Sequence, residues 1–478
     1  MSTPLSTAGA EHRGVAERKA LGRAARGRAP RRAHAGWEPS PGRPDPIEIL
    51  QAQAAAREPD LVPVRYGRMV ASPFAFFRGG PAIMAADLAA TPVSGLDVQL
   101  CGDAHLVNFG LFGSPERSLM FGVNDFDETL PGPWEWDVKR LAASVAVAAR
   151  QNGFPVESQR EAARETVRTY REAMHTFAAL PTLDLWHLHL SAAELVGFTR
   201  RLEAEFGAAA PGLTTERLRR AFARARARDN LAALSKLCVR DGGTARLASR
   251  PPLLVPVREL WPAADAAVVF DAVRAAFGRY RESLSDERRA LLDQFEIVDL
   301  ARKVVGVGSV GTRCFVLLLR GKDAQDVLFL QIKQAERSVL EPHLKPSGYR
   351  GHGQRVVAGQ RLLQTVPDIL LGWTSVPDGD HGRDYYVRQL QDMKGGIDPA
   401  KLTPGGLGVY GGLCGWTLAR AHGRAGDEVA IAGYLGTGTA FDEAIADFAV
   451  AYAVVNERDH RDLVAAVDRG LVHATRAG

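Results

Sequence analysis

Short apolar runs separated by glycines and polar turns fill residues 297–395, and they predict a small antiparallel sheet. Each run is rich in Val, Ile, Leu or aromatic residues, and Gly or charged residues bound it, as is typical of strands. One stretch of helical spacing interrupts the series before its last two runs. The predicted strands are 297–305, 314–319, 327–333, 368–376 and 384–390, and the predicted helix is 355–364.

Apolar residues recur at three- and four-residue spacing through most of the remaining chain, which predicts helices. Residues 251–257 differ, and we expect a strand or a loop there. The chain therefore belongs to the α+β class. Its four predicted parts are a leader and linker at 1–45, a mostly helical part at 46–296, the sheet at 297–395, and C-terminal helices at 396–478. The predicted helices are 46–57, 158–178, 191–206, 215–237, 266–295 and 411–424.

Two acidic loops lie close together in the first third of the chain. One is C-G-D-A-H-L-V-N-F-G at 101–110, and the other is V-N-D-F-D-E at 123–128. Two carboxylates within about 5 Å of each other repel by about 3 kcal/mol at an effective dielectric near 20, and a cation between them turns this penalty into attraction. In phosphoryl transfer one Asp accepts the proton of the attacking group while an Asn and a second Asp hold Mg²⁺. Asp103, Asn108 and Asp125 have the residue types and the order for these three roles.

Each of these residues also has a structural interpretation. Asp103 is the candidate catalytic base, but Asp in a turn often only accepts hydrogen bonds from loop amides. His105 could orient the catalytic Asp or fill a structural hydrogen bond, and the structural role is favoured. Asn108 and Asp125 are predicted metal ligands. For Asp127, a second metal contact and a capping role stay equally open.

A second candidate site lies in the predicted sheet, where G-V-G-S-V-G at 306–311 separates two strands. A dinucleotide-binding fold requires a helix directly after such glycines, whereas a short apolar run follows here. Glycines between strands, followed by a strand lysine, instead suit phosphate binding through backbone amides and an ammonium group. Lys333 is that lysine, although a solvent-exposed lysine at a sheet edge is the alternative. The predicted phosphate-binding residues of the loop are Gly306, Gly308, Ser309 and Gly311.

Three ordered segments resemble the kinase-like phosphotransferases, particularly the aminoglycoside and choline kinase branch. They are G-D-x-H-x-x-N, D-F-D, and P-W-E-W-D-V-K-R-L at 133–141, in which Asp137 matches a structural aspartate at the start of the next helix. Cys101 stands where this branch usually has His. The resemblance implies a two-lobed protein-kinase-like fold. Because the glycine loop follows the acidic loops here, the implied order is circularly permuted, with the catalytic part of the C-lobe first and the ATP-gripping lobe second.

The resemblance also implies a carboxylate partner for the lysine of the glycine-loop lobe. Glu336 and Glu341 follow Lys333 closely, whereas the predicted helix 355–364 offers only Gln360. All three stay open as its partner.

Arg78, in F-F-R-G-G, could reach a phosphate or an acceptor, or it could form a structural ion pair.

The whole chain, from about residue 15 to about residue 465, also resembles the DUF2252 family of bacterial proteins. The shared segments are P-V-R-Y-G-R-M-V-A-S-P-F-A-F-F-R-G-G at 63–80, the G-D-A-H-x-x-N-F-G motif, and G-Q-R-L-L-Q at 359–364. The kinase-like resemblance implies an enzyme that uses ATP and Mg²⁺ to phosphorylate a hydroxyl or an amine of a small molecule, which stays unidentified. The alternatives are AMP transfer to a protein and a nucleotide-binding pseudokinase scaffold.

The composition adds a basic leader to this picture. The net charge is +5, and much of the excess lies in residues 13–32, a run of Arg, Lys, Ala and Gly. Such a run could bind nucleic acid or an anionic surface. No aromatic residues interleave it, which favours a flexible or helical leader with solvated arginines. A proline-rich linker is predicted at 38–46.

The remaining composition describes an ordinary globular protein. The 478 residues are 46% hydrophobic and 24% charged, which is enough for a two-lobed enzyme. Residues 1–20 contain no apolar segment of signal-peptide length, and no run reaches the roughly 18 apolar residues of a membrane span. A soluble cytoplasmic protein without a membrane partner is therefore expected. Four scattered cysteines, none in C-x-x-C, argue against a disulfide scaffold or a zinc site.

Overall fold

The chain folds into a mixed α+β structure with 51% helix and 16% strand. All strand pairs between the described residues are antiparallel. This content agrees with the α+β class predicted from the sequence. The computed structural model describes residues 13–191, 193–197, 200, 215–227, 230–241, 244–260, 263–377, 382–390 and 393–475.

The helices concentrate before residue 296 and after residue 400. In chain order they are α1 (Val15–Ala25), α2 (Pro46–Ala54), α3 (Val62–Met69), α4 (Pro73–Gly79), α5 (Pro81–Leu88), α6 (Trp134–Gln151), α7 (Val156–Phe177), α8 (Thr182–His187), α9 (Thr215–Arg226), α10 (Asn230–Leu237), α11 (Val257–Leu260), α12 (Ala263–Glu282), α13 (Asp286–Leu292), α14 (His352–Leu363), α15 (Pro404–Ala425), α16 (Glu428–Leu435) and α17 (Ala440–Asp468). Short 3₁₀ turns lie at Arg31–His34, Leu106–Asn108 and Pro399–Lys401.

The strands form one large sheet and three small ones. In chain order they are β1 (Asp97–Leu100), β2 (Phe109–Gly113), β3 (Leu119–Val123), β4 (Leu130–Pro133), β5 (Leu190–Ser191), β6 (Cys238–Asp241), β7 (Thr244–Leu247), β8 (Leu254–Pro256), β9 (Glu296–Lys303), β10 (Cys314–Arg320), β11 (Val327–Ala335), β12 (Gly372–Val376) and β13 (Arg383–Gln389). The sheet orders are β12-β13-β11-β10-β9-β8, β2-β3-β5, β1-β4 and β6-β7.

The large sheet is covered on both faces, which explains why its central strand has no polar alternation. In β10, Leu317 and Leu319 pack with Tyr280 of α12, while Val316 and Leu318 pack with Leu237 on the other side. Successive side chains of a strand point to opposite faces, so a strand with two covered faces is apolar throughout. The five strands and the helix predicted for 297–395 are confirmed as β9 to β13 and α14.

The largest apolar core lies between α6, α7, α15 and α17. The rings of Trp134 and Tyr170 stack with centroids 5.7 Å apart, and Phe441 packs against the same Trp134 at 5.1 Å. Gly415 lets α15 approach α7 closely, because a Cβ there would lie 2.3 Å from the carbonyl oxygen of Thr166. This close-packed bundle forms a rigid base for the loops that precede α6.

Several predicted boundaries differ from the structure. The predicted helix 215–237 is divided into α9 and α10, and the predicted helix 266–295 is divided into α12 and α13. The extended piece predicted at 251–257 narrows to β8. The predicted strand 368–376 starts only at Gly372, because the carboxylate of Asp368 accepts hydrogen bonds from the Leu370 and Gln389 amides and holds a turn. The predicted helix 191–206 lies largely outside the described residues.

The described part of the leader, residues 13–45, is anchored to the C-terminal helices, although most of its residues are exposed. Helix α1 lies against α16, and a Cβ at Gly22 would lie 1.8 Å from the Ala430 carbonyl oxygen. The last carbonyls of a helix have no partner within the helix. Here Arg26 donates to the carbonyls of Gly433 and Tyr434, and Arg31 donates to that of Leu435. The expectation of solvated arginines is corrected at these two positions.

Two further findings concern the cysteines and the length of the apolar helices. All four cysteines are free thiols, which agrees with the prediction of no disulfide scaffold. Among the described residues, no helix combines the length and the apolarity that crossing a bilayer requires.

Candidate active site

The first acidic loop is anchored to the start of helix α6. The Asp137 carboxylate accepts hydrogen bonds from the amides of Cys101 (2.6 Å) and Gly102 (3.0 Å). Gly102 has a φ of 87°, and a Cβ there would lie 2.3 Å from the carbonyl oxygen of Glu128. Only glycine permits this conformation and this approach. The first acidic loop is thereby held against the second.

Asp103 lies on this anchored loop with a cation beside it. Its Oδ1 is 2.7 Å from Nη2 of Arg140, and its backbone carbonyl accepts a hydrogen bond from the Asn108 side-chain amide at 2.7 Å. Burial raises the pKa of the Asp103 carboxyl; Arg140 opposes this shift, and the Asp125 charge adds to it. The side chain stays 19% exposed, toward the central cavity. A partly buried carboxylate with a raised pKa is suited to accept a proton.

His105 lies behind Asp103 rather than in the cavity wall. Its Nε2 is 3.7 Å from Oδ2 of Asp103, which is beyond hydrogen-bond distance. Burial lowers the pKa of His105 well below its ordinary value, and the neighbouring Arg78 and Arg140 lower it further. The imidazole is therefore neutral.

The second acidic loop contacts Lys333 directly, although more than 200 residues separate them. Nζ of Lys333 is 2.6 Å from Oδ2 of Asp127 and 3.4 Å from Oδ1 of Asp125. Tyr386, the cross-strand neighbour of Lys333 on β13, donates its hydroxyl to Oδ1 of Asp127 at 2.6 Å. The structure thus brings the predicted metal loop and the predicted phosphate-binding lysine to one place.

The charges in this group stabilise one another. Burial opposes ionisation of Asp125, but Lys333, Arg388 and Lys394 outweigh it and lower the carboxyl pKa to about 2. Burial likewise opposes the charge of Lys333, whereas Asp125 and Asp127 raise its pKa well above the ordinary value. The side chain of Lys333 is 2% exposed, so it is not a sheet-edge lysine in solvent.

The partner of Lys333 therefore differs from all three sequence candidates. Gln360 donates to Gln364 at 2.9 Å, inside the helical core and away from the cavity wall. Glu341 accepts from Arg337 at 2.9 Å, and Glu336 accepts from Gln334 at 3.2 Å. The prediction of Gln360 as a cofactor-binding residue has no support in these contacts, because its face of α14 packs inward.

Helix α14 instead contributes an arginine to the site. The guanidinium of Arg355, which is 1% exposed, donates to the backbone carbonyls of Thr129 (2.6 Å), Asp127 (2.8 Å) and Glu336 (2.9 Å). It ties the second acidic loop to the end of β11. The helix also contains His352, Gln354, Gln360 and Arg361, so its sequence does not single out Arg355.

The glycine loop joins β9 and β10 and forms another wall of the cavity. Gly306 and Gly311 have φ values of 64° and 90°, which glycine adopts without strain. Gly306, Gly308 and Ser309 line the cavity, as predicted for a phosphate-binding loop. Gly311 does not line it: its carbonyl accepts a hydrogen bond from the Glu58 amide at 2.8 Å and anchors the loop to the end of α2.

These elements enclose one cavity of about 670 Å³. The N-terminal helices add arginines to its wall, among them Arg78. Glu128 also lines it, and burial raises the pKa of this carboxyl to about 7 although Val339 donates its amide to it. Of the charged residues in this wall, the sequence had singled out Arg78 but not Glu128, Arg57, Arg65 or Arg337. The charged lining residues are Arg57, Arg65, Arg78, Asp103, Asp125, Asp127, Glu128, Glu336 and Arg337.

The carboxylates fit a Mg²⁺ ion that also binds phosphate. Mg²⁺ takes one or two carboxylates and completes its shell with waters and substrate phosphates. Asp125 and Asp127 are 35% and 28% exposed and both already contact one cation, Lys333. The amide nitrogen of Asn108 donates to Asp103, so its oxygen stays as an acceptor. The part of the chain described here contains no group of three or more His, Cys, Asp or Glu placed to hold a metal ion alone.

The family assignment follows from a comparison over most of the chain. The model of the family described as "Uncharacterized protein conserved in bacteria (DUF2252)" matches residues 57–466. The chain belongs to the DUF2252 family. The matched DUF2252 region contains both acidic loops, the glycine loop and Lys333. Comparison with curated proteins and with solved structures gave no match.

Proposed function

We propose that this protein is an ATP- and Mg²⁺-dependent phosphotransferase with a circularly permuted kinase-like fold, which acts on a hydroxyl or amine of a small molecule. One observation carries the proposal: Lys333 lies 2.6 Å from Asp127 and 3.4 Å from Asp125, at the cavity that Asp103 and the glycine loop also line. Two segments with separate sequence signals for phosphate chemistry converge there.

The order of elements supports the permuted kinase-like interpretation. The strand–glycine loop–strand–strand unit carries Lys333, and a helix and two further strands follow, in the order that the resemblance implies. Asp137 holds the amides of the first acidic loop, as expected of a structural aspartate at the start of the next helix. The acidic loops precede this sheet in the chain, which is the permuted order.

In the proposed reaction, backbone amides of the glycine loop and the ammonium group of Lys333 hold the phosphates of ATP. Asp103 accepts the proton of the acceptor O–H or N–H group as that atom bonds to the γ-phosphorus, and the bond from the γ-phosphorus to the bridging oxygen of ADP breaks. Arg140 keeps the Asp103 carboxylate in place. Asp125, Asp127 and Asn108 would hold Mg²⁺, which when bound offsets the phosphate charge. Positioning and electrostatics supply most of the rate.

Labelled ATP tests the reaction class. The protein is incubated with ATP labelled at the γ or the α position and with a panel of small alcohols and amines, with and without a phosphate group. Label from the γ position in the product is expected. Label from the α position alone would identify AMP transfer, and nucleotide binding without any label transfer would identify a pseudokinase scaffold. Both results would contradict the proposal.

A thermal-shift titration with MgATP tests the nucleotide site separately. MgATP at a hundred times its dissociation constant should stabilise the parent protein by about 2.7 kcal/mol. Asp125→Asn should weaken this response, since it removes a carboxylate that Lys333 contacts and that Mg²⁺ would share. A parent protein that does not respond to MgATP would refute the nucleotide claim.

A further inference from the structure

Three arginines from the N-terminal helices line the cavity without a carboxylate partner. Arg57 follows α2, Arg65 lies in α3, and Arg78 lies in α4. Across the described residues, no ion pair within 4 Å joins any of them to Asp or Glu. They contrast with Arg140 and Lys333 in the same region, which both contact carboxylates.

Arg65 is the most deeply placed of the three. Its side chain is fully buried, and Nη2 donates to Oε1 of Gln53 and to the carbonyl of Gly79, both at 3.0 Å. Nε and Nη1 have no hydrogen-bond partner in the described part of the chain. A guanidinium carries five N–H donors, and a buried donor without a partner is costly. Arg65 thus carries unsatisfied donors in a side chain that lines the cavity.

Arg57 and Arg78 repeat this pattern. Arg57 uses Nη1 for the Val310 carbonyl of the glycine loop, at 2.5 Å. Its buried Nε, and that of Arg78, find no acceptor among the residues described. All three side chains line the same cavity. The N–H donors of a guanidinium group match the oxygens of a phosphate group.

Burial affects these arginines more than the nearby acidic groups do. Glu336 faces Arg57 and Arg65, and burial raises the pKa of its carboxyl, which these arginines oppose. Burial and, after it, the neighbouring Arg57 charge lower the pKa of Arg65 to about 9. Burial also lowers the pKa values of Arg57 and Arg78. An anion in the cavity would favour the charged forms of these guanidinium groups.

The location of Arg78 indicates which substrate would carry the anion. The acidic groups that act most on Arg78 are Asp103 and Asp125, so it lies on the side of the proposed base. In the proposed reaction, Lys333 and the glycine-loop amides hold the nucleotide phosphates. Arg78 therefore lies beside the acceptor position, and Arg57 and Arg65 line the same cavity.

We infer that Arg57, Arg65 and Arg78 bind a phosphate group of the acceptor, so that the substrate is a phosphate monoester with a free hydroxyl or amine. This inference rests on the proposed phosphotransferase function. A phosphate monoester carries a charge of about −1.5 to −2 at pH 7 and three acceptor oxygens. Transfer of the γ-phosphoryl group to its free hydroxyl would give a bisphosphate and ADP, with the proton on Asp103.

Calorimetric titration of the full chain with inorganic phosphate tests the site, in the presence and absence of saturating MgAMP-PNP. Phosphate should bind to the nucleotide-loaded protein. Because a neutral residue at the fully buried position 65 risks misfolding, the variants are Arg65→Lys and Arg78→Gln. Both should weaken phosphate binding at least tenfold and change MgAMP-PNP affinity less than threefold. Arg274→Gln, which removes an exposed arginine of α12, is the control and should change neither.

Three results would decide against the inference or separate it from the proposed function. If phosphate does not bind the parent, the anion site is refuted. If phosphate competes with MgAMP-PNP and Arg78→Gln weakens both equally, the arginines serve the nucleotide and the acceptor assignment is wrong. If MgAMP-PNP fails to bind while phosphate binds and Arg78→Gln abolishes it, the anion site stands and the proposed function fails.

Discussion

Two groups of buried charges face the same cavity and differ in how they are balanced. In the first, Lys333 contacts Asp125 and Asp127, and the pKa of Asp125 falls to about 2. In the second, Arg65 keeps free donors and has a pKa lowered to about 9, while the pKa of Glu128 is raised to about 7. Burial acts on both groups, and only the first has partners that outweigh it.

The paired charges stabilise the site itself, whereas the unpaired charges are available to bind a ligand. A buried ion pair compensates the loss of hydration when its geometry is good, whereas an unpaired buried charge is a net cost. A protein that keeps such a cost at a cavity wall has donors and acceptors available for a ligand there. A metal ion and a nucleotide would rearrange the contacts of Lys333, Asp125 and Asp127. An anionic ligand would give Arg65 its first charged partner.

The largest effect is expected from removing the cation of the paired group. Lys333→Met should lower γ-phosphoryl transfer by about 10²–10³-fold, because a fixed charge facing the phosphates is lost. Label transfer from ATP measures it, and circular dichroism checks the fold. Lys345→Met, at an exposed lysine, is the control and should behave as the parent. A Lys333→Met protein within threefold of the parent would show that the pair is only structural.

Next in size is the loss of the arginine that ties the paired group to the sheet. Arg355→Met should lower the free energy of unfolding by about 3 kcal/mol, since three buried carbonyls lose a charged donor. Urea denaturation measures this change. Arg350→Met, two residues before α14 and exposed, should change stability by less than about 0.5 kcal/mol. Equal effects of the two substitutions on stability would show that the hydrogen bonds of Arg355 do not stabilise the fold.

The residues of the acidic loops and Lys333 could be predicted from the sequence, since local patterns identify them. Asp103, Asn108 and Asp125 lie at motif spacings, and Lys333 ends an apolar run after a glycine loop. The strands of 297–395 were predictable because short apolar runs bounded by turns have few alternative structures. The contact between Lys333 and Asp127 spans 206 residues. The resemblance led us to expect the glycine-loop lobe near the acidic loops, but it did not predict this pairing.

The unpaired group was mostly hidden, because it depends on tertiary placement. Arg57 follows α2 and Arg65 lies in α3, and both look like ordinary surface arginines until the fold buries them. Gln360 is not the partner of Lys333 for a related reason: periodicity identified the helix but did not fix which face turns toward Lys333. The leader arginines were assigned to solvent because the open end of α16, about 400 residues later, leaves no local signal.

A pH-dependent effect would sharpen the comparison between Asp125 and Glu128. The pKa of Glu128 is raised to about 7 from 4.5, so the folded state binds more protons than the unfolded state between these values. This carboxyl thus contributes stability that is present below about pH 4.5 and lost as pH rises through about 7. As pH rises from 5 to 8, the free energy of unfolding of Glu128→Gln should therefore increase relative to that of the parent by up to about 2 kcal/mol.

Urea denaturation at both pH values measures the Glu128→Gln effect. Glu116→Gln, in the exposed turn between β2 and β3, is the control and should keep the parent's pH dependence. A parent whose stability changes between pH 5 and 8 just as that of Glu128→Gln does would mean that Glu128 has a cation partner in solution, as Asp125 does.

The smallest effect concerns arginines that are paired with carbonyls rather than carboxylates. Arg26→Gln should lower the free energy of unfolding by about 1 kcal/mol, since Arg26 donates to two carbonyls at the C-terminus of α16. The exposed Arg23, one turn earlier in α1, is the matched control, and Arg23→Gln should have almost no effect. If the leader served mainly to bind nucleic acid, both substitutions would weaken salt-dependent binding alike and leave stability unchanged. A difference in stability confined to Arg26 would instead mean that this cation, unlike Arg65, has its partners within the chain and needs no ligand.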